Sequence, residues 1–183
     1  GSWRNESGTP QTPPDEFLRS AEARISFDCG RTGDSRAFEL VNKTNQFNLN
    51  GKRYSESEWR QFLADPSAFL VTAAYEDKFG ALGKIAVLLG TKHADDIHLQ
   101  TWVMSCRAFS RRIEQQCLRF LFAELGADRI SFEYAPTPRN GPIQDFLKSV
   151  VNPSLEGPVS LTKELFFSGV PQLFHQVEVS INA

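Results

Sequence analysis

The stretch from Ile97 to Gly126 constrains the fold of this chain more than any other. Ile97 to Cys106 reads as a strand: alternation sets His98, Gln100, Trp102, Met104 and Cys106 on one face and Ile97, Leu99, Thr101, Val103 and Ser105 on the other. A short loop then enters the longest helix, with a buried stripe of Ile113, Cys117, Phe120, Leu121 and Leu125 and a glycine, Gly126, placed to cap it. Arg129 to Tyr134 is a strand again, and Asn140-Gly141-Pro142 starts a further helix that buries Ile143, Phe146, Leu147 and Val150.

Upstream, Ser55-Glu56-Ser57-Glu58 is a capping box, with Tyr54 and Trp59 in the hydrophobic-staple positions, and the helix it opens runs through Phe62 and Leu63 until Pro66 stops it. Two apolar runs, Ala68 to Tyr75 and Lys84 to Leu89, flank Asp77-Lys78-Phe79-Gly80 and read as a β-hairpin. Leu161 to Phe167 and Leu173 to Ile181 are expected to close the chain as strands. The order is strand, helix, helix, strand, strand, strand, helix, strand, helix, strand, strand: an α+β pattern over residues 15–183, with room for one domain. Gly1-Ser2 reads as a cloning scar, and residues 3–14, WRNESGTPQTPP, as a flexible tail or linker stump.

With 20 Lys+Arg against 22 Asp+Glu, the net charge of −2 argues against a general nucleic-acid binder. No apolar run approaches the roughly 18 residues of a membrane span. Cys29, Cys106 and Cys117 lack the spacing of a zinc site or redox pair, and an odd count without a signal peptide fits a reduced cytoplasm. His93 beside Asp95 and Asp96 reads as a turn, so no metal is expected.

The strand–loop–helix–strand–helix run, with Val103-Met104-Ser105-Cys106-Arg107 before the first helix and Asn140 before the second, resembles the core of GNAT acyltransferases. Asn42-Lys43-Thr44-Asn45-Gln46-Phe47-Asn48-Leu49 together with Met104-Ser105-Cys106-Arg107 is more specifically similar to the C-terminal half of FkbH-type proteins, which supply three-carbon glyceryl units to acyl carrier proteins in polyketide pathways. The similarity runs from about Asp15 onward. It implies a GNAT-like fold, a mixed central sheet with a splayed strand pair and flanking helices. It also implies a phosphopantetheine arm as the working group and an acyl carrier protein as partner. The HAD-like half of such proteins, with its Asp-x-Asp signature, has no counterpart here; a HAD-like partner in cis or in trans is expected to do the phosphate and magnesium chemistry.

In GNAT folds the strand before the long helix splays from its neighbour and pairs with pantetheine, while the following loop offers amides to the pyrophosphate of coenzyme A. That loop is usually Arg/Gln-x-x-Gly-x-Gly/Ala; here it is Arg107-Ala108-Phe109-Ser110-Arg111-Arg112, with Ser110 and Arg112 at the small positions. Ser110 can be an N-cap with Arg111 and Arg112 reaching phosphate directly. Alternatively the diphosphate site is lost and the groove takes a carrier-borne arm, with coenzyme A binding weakly. Met104, Ser105, Arg107, Ser110, Arg111, Arg112 and Asn140 are the residues implied for the arm, and Thr44, Asn45, Gln46 and Asn48 those for a hydroxylated acyl group.

Cys106 is the candidate nucleophile, at the strand-to-loop junction among cations and near a helix start; the alternative is a small hydrophobe under the loop. A dyad with His98 is excluded, because eight residues of strand span about 26 Å. Cys117 falls on the buried stripe, and Glu114 and Glu133 read as solvated residues or as bases. Arg107, Arg111, Arg112 and Arg119 form either a solvated face or a docking patch for an acidic carrier protein. Three functions follow: acyl transfer to a carrier protein, a non-catalytic carrier-docking module, and a coenzyme A-dependent N-acetyltransferase.

Overall fold

The computed structural model describes residues 14–32 and 34–182; the tail expected over residues 1–14 lies almost wholly outside them. The fold is α+β. Eight strands form one mixed sheet: β1 (Arg24–Gly30), β2 (Phe47–Asn48), β3 (Ala68–Asp77), β4 (Gly80–His93), β5 (Asp96–Met104), β6 (Arg129–Phe132), β7 (Val159–Thr162) and β8 (Gln176–Ile181). The order is β7-β6-β5-β4-β3-β1-β8, with β2 paired to β5 off this path. β5 and β6 are parallel, as are β1 and β8, and the other pairs are antiparallel.

Six α-helices are described: α1 (Asp15–Ser20), α2 (Ser35–Lys43), α3 (Glu56–Leu63), α4 (Ile113–Arg119), α5 (Gly141–Val150) and α6 (Lys163–Gly169). α2 and α3 cover one face, where Leu40, Val41, Tyr54 and Trp59 pack on Leu70, Val87, Leu89 and Val103. The capping box of α3 forms as expected: Glu58 N donates to Ser55 Oγ and Ser55 N to Glu58 Oε1, with the Tyr54 and Trp59 rings edge to face at 5.6 Å. α2 is capped by Asp34, whose side chain accepts from the amides of Arg36 and Ala37 and also takes a short ion pair from Lys84 of β4.

α4, α5 and α6 cover the other face. α4 continues into a π turn at Phe120–Glu124, closed by the Leu125 N–Phe120 O bond. This wider turn lets Phe120, Leu121 and Phe122 all be buried, with Phe120 stacked on Phe27 at 4.5 Å. Gly126 caps the helix with φ +74°, as its position predicts.

Three expectations are corrected. The alternation along β5 breaks at Gln100, where the register with β4 slips between Leu89 and Gly90. Trp102 and Met104 therefore join Ile97 and Leu99 in the core under α4 and α5, while Val103 faces α2. The segment Leu161 to Phe167 is not a strand: β7 ends at Thr162, whose hydroxyl accepts from Leu165 N and starts α6. The last strand begins at Gln176, not Leu173.

Candidate functional site

The strand before α4 does splay from its neighbour. β5 and β6 pair only from Asp96/Arg129 to Leu99/Phe132, and beyond Leu99 they part. The wedge between them is filled by the chain itself. β2 enters it antiparallel to β5, with Phe47 opposite Met104 and Asn48 opposite Val103. Leu49 N donates to Trp102 O and Leu49 O accepts from Ala135 N, so residues 47–49 bridge both diverging strands. The Phe47 ring closes the space against Trp102 at 5.0 Å and Phe146 at 6.0 Å, and both Phe47 and Leu49 are buried. The open crevice implied for a pantetheine arm is absent there, because β2 already uses the edge of β5 with which the arm would pair.

Two expected ligand residues serve this closure. Asn140 is fully buried: Nδ2 donates to Asn48 O and Ala135 O, and Oδ1 accepts from Thr137 N and Gln144 Nε2. Asn48 is likewise buried, with Nδ2 on Thr44 O and Oδ1 accepting from Asn50 N and Gly51 N, which tightens the turn at Gly51 (φ +76°). The Asn140 amide has no hydrogen-bonding site left for acyl group or cofactor, and the Asn48 amide, buried at 1% exposure, has spent both acceptor sites and one of its two donors on its own turn.

The loop after β5 keeps an unusual backbone. Ser110 (φ +68°) and Arg112 (φ +57°) are left-handed, at the two positions where glycine is usual, and each costs about 1–2 kcal/mol. Its side chains turn inward. Arg112 caps α4 through no side-chain bond and sends its guanidinium to Asp15 at 2.8 Å and Gln172 O at 2.8 Å, only 11% exposed. Arg111 donates to Arg107 O and Phe109 O and stands over the Tyr75 ring. Ser110 is therefore not the N-cap, and neither arginine is offered to a phosphate. The patch expected from Arg107, Arg111, Arg112 and Arg119 reduces to Arg107 and Arg119, and Arg119 leans on Gln116 Oε1. His175 sits at the same junction, donating from Nε2 to Arg111 O and accepting at Nδ1 from Gln116; burial pushes its pKa down to about 4, so it is neutral.

The remaining expected residues converge on a cleft of about 530 Å³ beside the end of β5. Met104, Ser105, Cys106 and Arg107 form one wall, and Thr44, Asn45 and Gln46 another. α2 supplies the third through Arg36, Leu40 and Lys43. The two sequence blocks that carried the FkbH resemblance thus meet in space, about 60 residues apart in the chain. Cys106 is exposed at the first position of a short 3₁₀ turn, Cys106–Ala108, whose cap is the Ser105 hydroxyl. Arg53 braces the opposite wall, donating to Val41 O, Thr44 O and Asn45 Oδ1. The α2 cations were not singled out from the sequence; Asp34 followed by Ala37, Leu40 and Val41 at helical spacing is the signal that could have found the helix, though not the direction its cations point.

The other candidates lie elsewhere. Cys117 is buried and its thiol pKa is driven up by desolvation, and that of Cys29 rises to about 11, first for the same reason. Burial raises the Glu114 carboxyl to about 7, but the residue does not line the cleft. Glu133 pairs with His98 at 2.8 Å in a separate shallow cleft beside β6 and β7.

No family model matches the chain, and no curated protein matches it. Among solved structures it is similar to a protein assigned to the GNAT acetyltransferases from Desulfovibrio desulfuricans (11% identity, 68% of this chain and 82% of that one, TM-score 0.48). It is also similar to the ribosomal-protein-S18-alanine N-acetyltransferase of Escherichia coli (12%, 76% and 93%, 0.47) and a GNAT-family acetyltransferase from Bacillus anthracis (15%, 74% and 94%, 0.39). These are likenesses of fold at low identity.

Proposed function

We propose that this domain transfers a glyceryl or related hydroxyacyl unit to the phosphopantetheine thiol of an acyl carrier protein, in the manner of FkbH-type proteins, with Cys106 as the relay. One observation carries the reading: an exposed thiol in a polar cleft that joins the Lys43–Gln46 and Met104–Arg107 blocks. In the first step the Cys106 sulfur adds to the carbonyl of an activated acyl donor, and the donor's leaving group departs with the proton the thiol gave up. In the second the arm's thiolate attacks the Cys106 thioester, the acyl group moves to the arm, and the cysteine sulfur leaves and takes up the proton the arm gave up. The amide side chains of Asn45 and Gln46 are the cleft's neutral donors for the oxyanion and for acyl hydroxyls. The filled wedge sends any pantetheine arm to Cys106 by the cleft, and Arg111 and Arg112, turned onto main-chain carbonyls and away from a diphosphate, support a carrier-borne arm over coenzyme A.

The filled wedge also favours a second reading, a carrier-docking module without chemistry beside a HAD-like enzyme. Incubation with glyceryl-loaded donor and holo-carrier protein, read by mass spectrometry, separates the two. The relay predicts transfer by the parent and none by Cys106→Ala; carrier binding with no transfer by either protein leaves the docking module.

A further inference from the structure

The cleft in front of Cys106 has a second chemical property that acyl transfer alone does not require. Three of its lining side chains are cations, Arg36, Lys43 and Arg107, and none is a carboxylate. In a chain of net charge −2 this is a local concentration of positive charge around one thiol. Its volume, about 530 Å³, is that of a small-ligand site.

The arrangement of Arg36 and Lys43 is informative. They sit two turns apart on α2, and both rest on the same oxygen of Glu39, Arg36 Nη1 at 3.1 Å and Lys43 Nζ at 2.6 Å. Two like charges are thus held close together by one carboxylate oxygen, a spacing that suits two donors gripping a single anion. Glu39 itself is outside the cleft lining and its side chain is 55% exposed, and its carboxyl pKa lies below the ordinary value, first because of the Lys43 contact. One acid facing two cations leaves the pair with net positive charge, and a phosphate carries more charge and more acceptor oxygens than the carboxylate. Arg107 stands on the opposite wall, next in sequence to the thiol. Its Nη2 is on Leu82 O at 3.2 Å, and among the described residues it has no carboxylate partner. The orientation of α2 that aims these cations is fixed by Asp34, which caps the helix and is tied to Lys84 on β4.

We infer that this cleft is a phosphate-binding site, in which Arg36 and Lys43 from α2 and Arg107 from the opposite wall hold a phosphoryl ester while its carrier molecule presents a thiol or carbonyl to Cys106. This rests on the acyl-transfer reading for its choice of partner molecule, though not for its charge argument. The phosphate has two sources, the phosphopantetheine arm, a diester when it is carrier-borne, or a phosphorylated three-carbon acyl donor, a monoester, and their shared chemistry is an anionic phosphate ester on a short polar chain.

The test reads the rate at which Cys106 is alkylated by iodoacetamide. Inorganic phosphate is expected to slow it, and the variant R36Q/K43Q to need about tenfold more phosphate for the same protection, the loss expected for a charge-assisted contact. Iodoacetate, an anionic reagent, should react faster relative to iodoacetamide here than with a small free thiol, and the variant should lose that advantage. Protection by phosphopantetheine well beyond that by pantetheine assigns the site to the arm; protection by glycerol 3-phosphate beyond that by glycerol assigns it to the acyl donor. Equal protection by the phosphorylated and unphosphorylated forms, with none from inorganic phosphate, overturns the proposal. A melting curve of R36Q/K43Q matching that of the parent excludes misfolding, and Arg107→Gln, on a different wall, repeats the test independently. Acyl transfer through Cys106 without phosphate protection would sink the anion site and leave the proposed function standing; phosphate protection without transfer would do the reverse.

Discussion

Two neighbouring parts of the Asn42–Leu49 block have opposite fates. Thr44, Asn45 and Gln46 face an open polar cleft with a free thiol in it. Phe47, Asn48 and Leu49, the next three residues, are buried in the wedge between β5 and β6, with their backbone paired on both sides. One short segment therefore closes the wedge between the diverging strands and lines an open cleft a few ångströms of chain away. A strand pair that diverges leaves unpaired amides and carbonyls, and these must find partners; in this chain the partner is internal, residues 47–49.

The largest expected effect tests whether the wedge is a structural core. Phe47→Ala should cost about 3–5 kcal/mol, because a fully buried ring among Trp102, Phe109 and Phe146 leaves a cavity. Urea denaturation measures it, and a loss under 1 kcal/mol would mean that the plug is loosely held. Asn140→Leu should cost about 2–4 kcal/mol by leaving Asn48 O, Ala135 O and Thr137 N unpaired at once. A neutral result would reopen the residue as a ligand contact.

The next effect depends on pH. His175 has a folded pKa of about 4, below the unfolded value near 6.5, so the unfolded chain binds more protons between those values. Its contribution is whole above pH 6.5 and is lost as pH falls toward 4, by at most about 3 kcal/mol. Glu114, raised to about 7, slopes the opposite way: its contribution is present below the unfolded carboxylate pKa and is lost as pH rises through 7. His175→Gln should therefore flatten the acid side of the stability profile, and Glu114→Gln its rise toward pH 4.5. Parallel profiles for parent and variants would refute both assignments.

The smallest effect belongs to the cleft. Cys106→Ala and Gln46→Ala, both at exposed positions, should each change stability by less than about 0.5 kcal/mol while the first abolishes transfer. Acetyl-CoA in excess should raise the melting temperature only slightly, since the wedge is occupied and Arg111 and Arg112 are turned away from its diphosphate.

Much of the architecture was legible because its signals are local. Ser55 and Glu58 are three residues apart and need only each other and two amides. Ile113, Cys117, Phe120 and Leu121 repeat at helical spacing and are buried as read. What escaped depends on contacts distant in sequence. The slip at Gln100 reverses the faces of Trp102 and Met104, and nothing in the alternation marks it. Arg112 looks like an exposed cation until Asp15 and Gln172, about 97 and 60 residues away, take its guanidinium. Asn140 looks like a free amide until it meets Asn48 O, 92 residues away. Cys106 was legible as a junction residue because strand, turn and helix fall in sequence around it, whereas the cations opposite it come from α2.

The account stands on the claim that acyl chemistry in this domain passes through the cleft thiol and not along the splayed strands. The direct measurement is peptide mapping by mass spectrometry after a rapid acid quench of the domain with its activated glyceryl donor and no carrier. The prediction is an acyl adduct confined to the peptide containing Cys106 and discharged when holo-carrier is added. A carrier protein acylated at undiminished rate by Cys106→Ala, with no adduct on the parent, would contradict it.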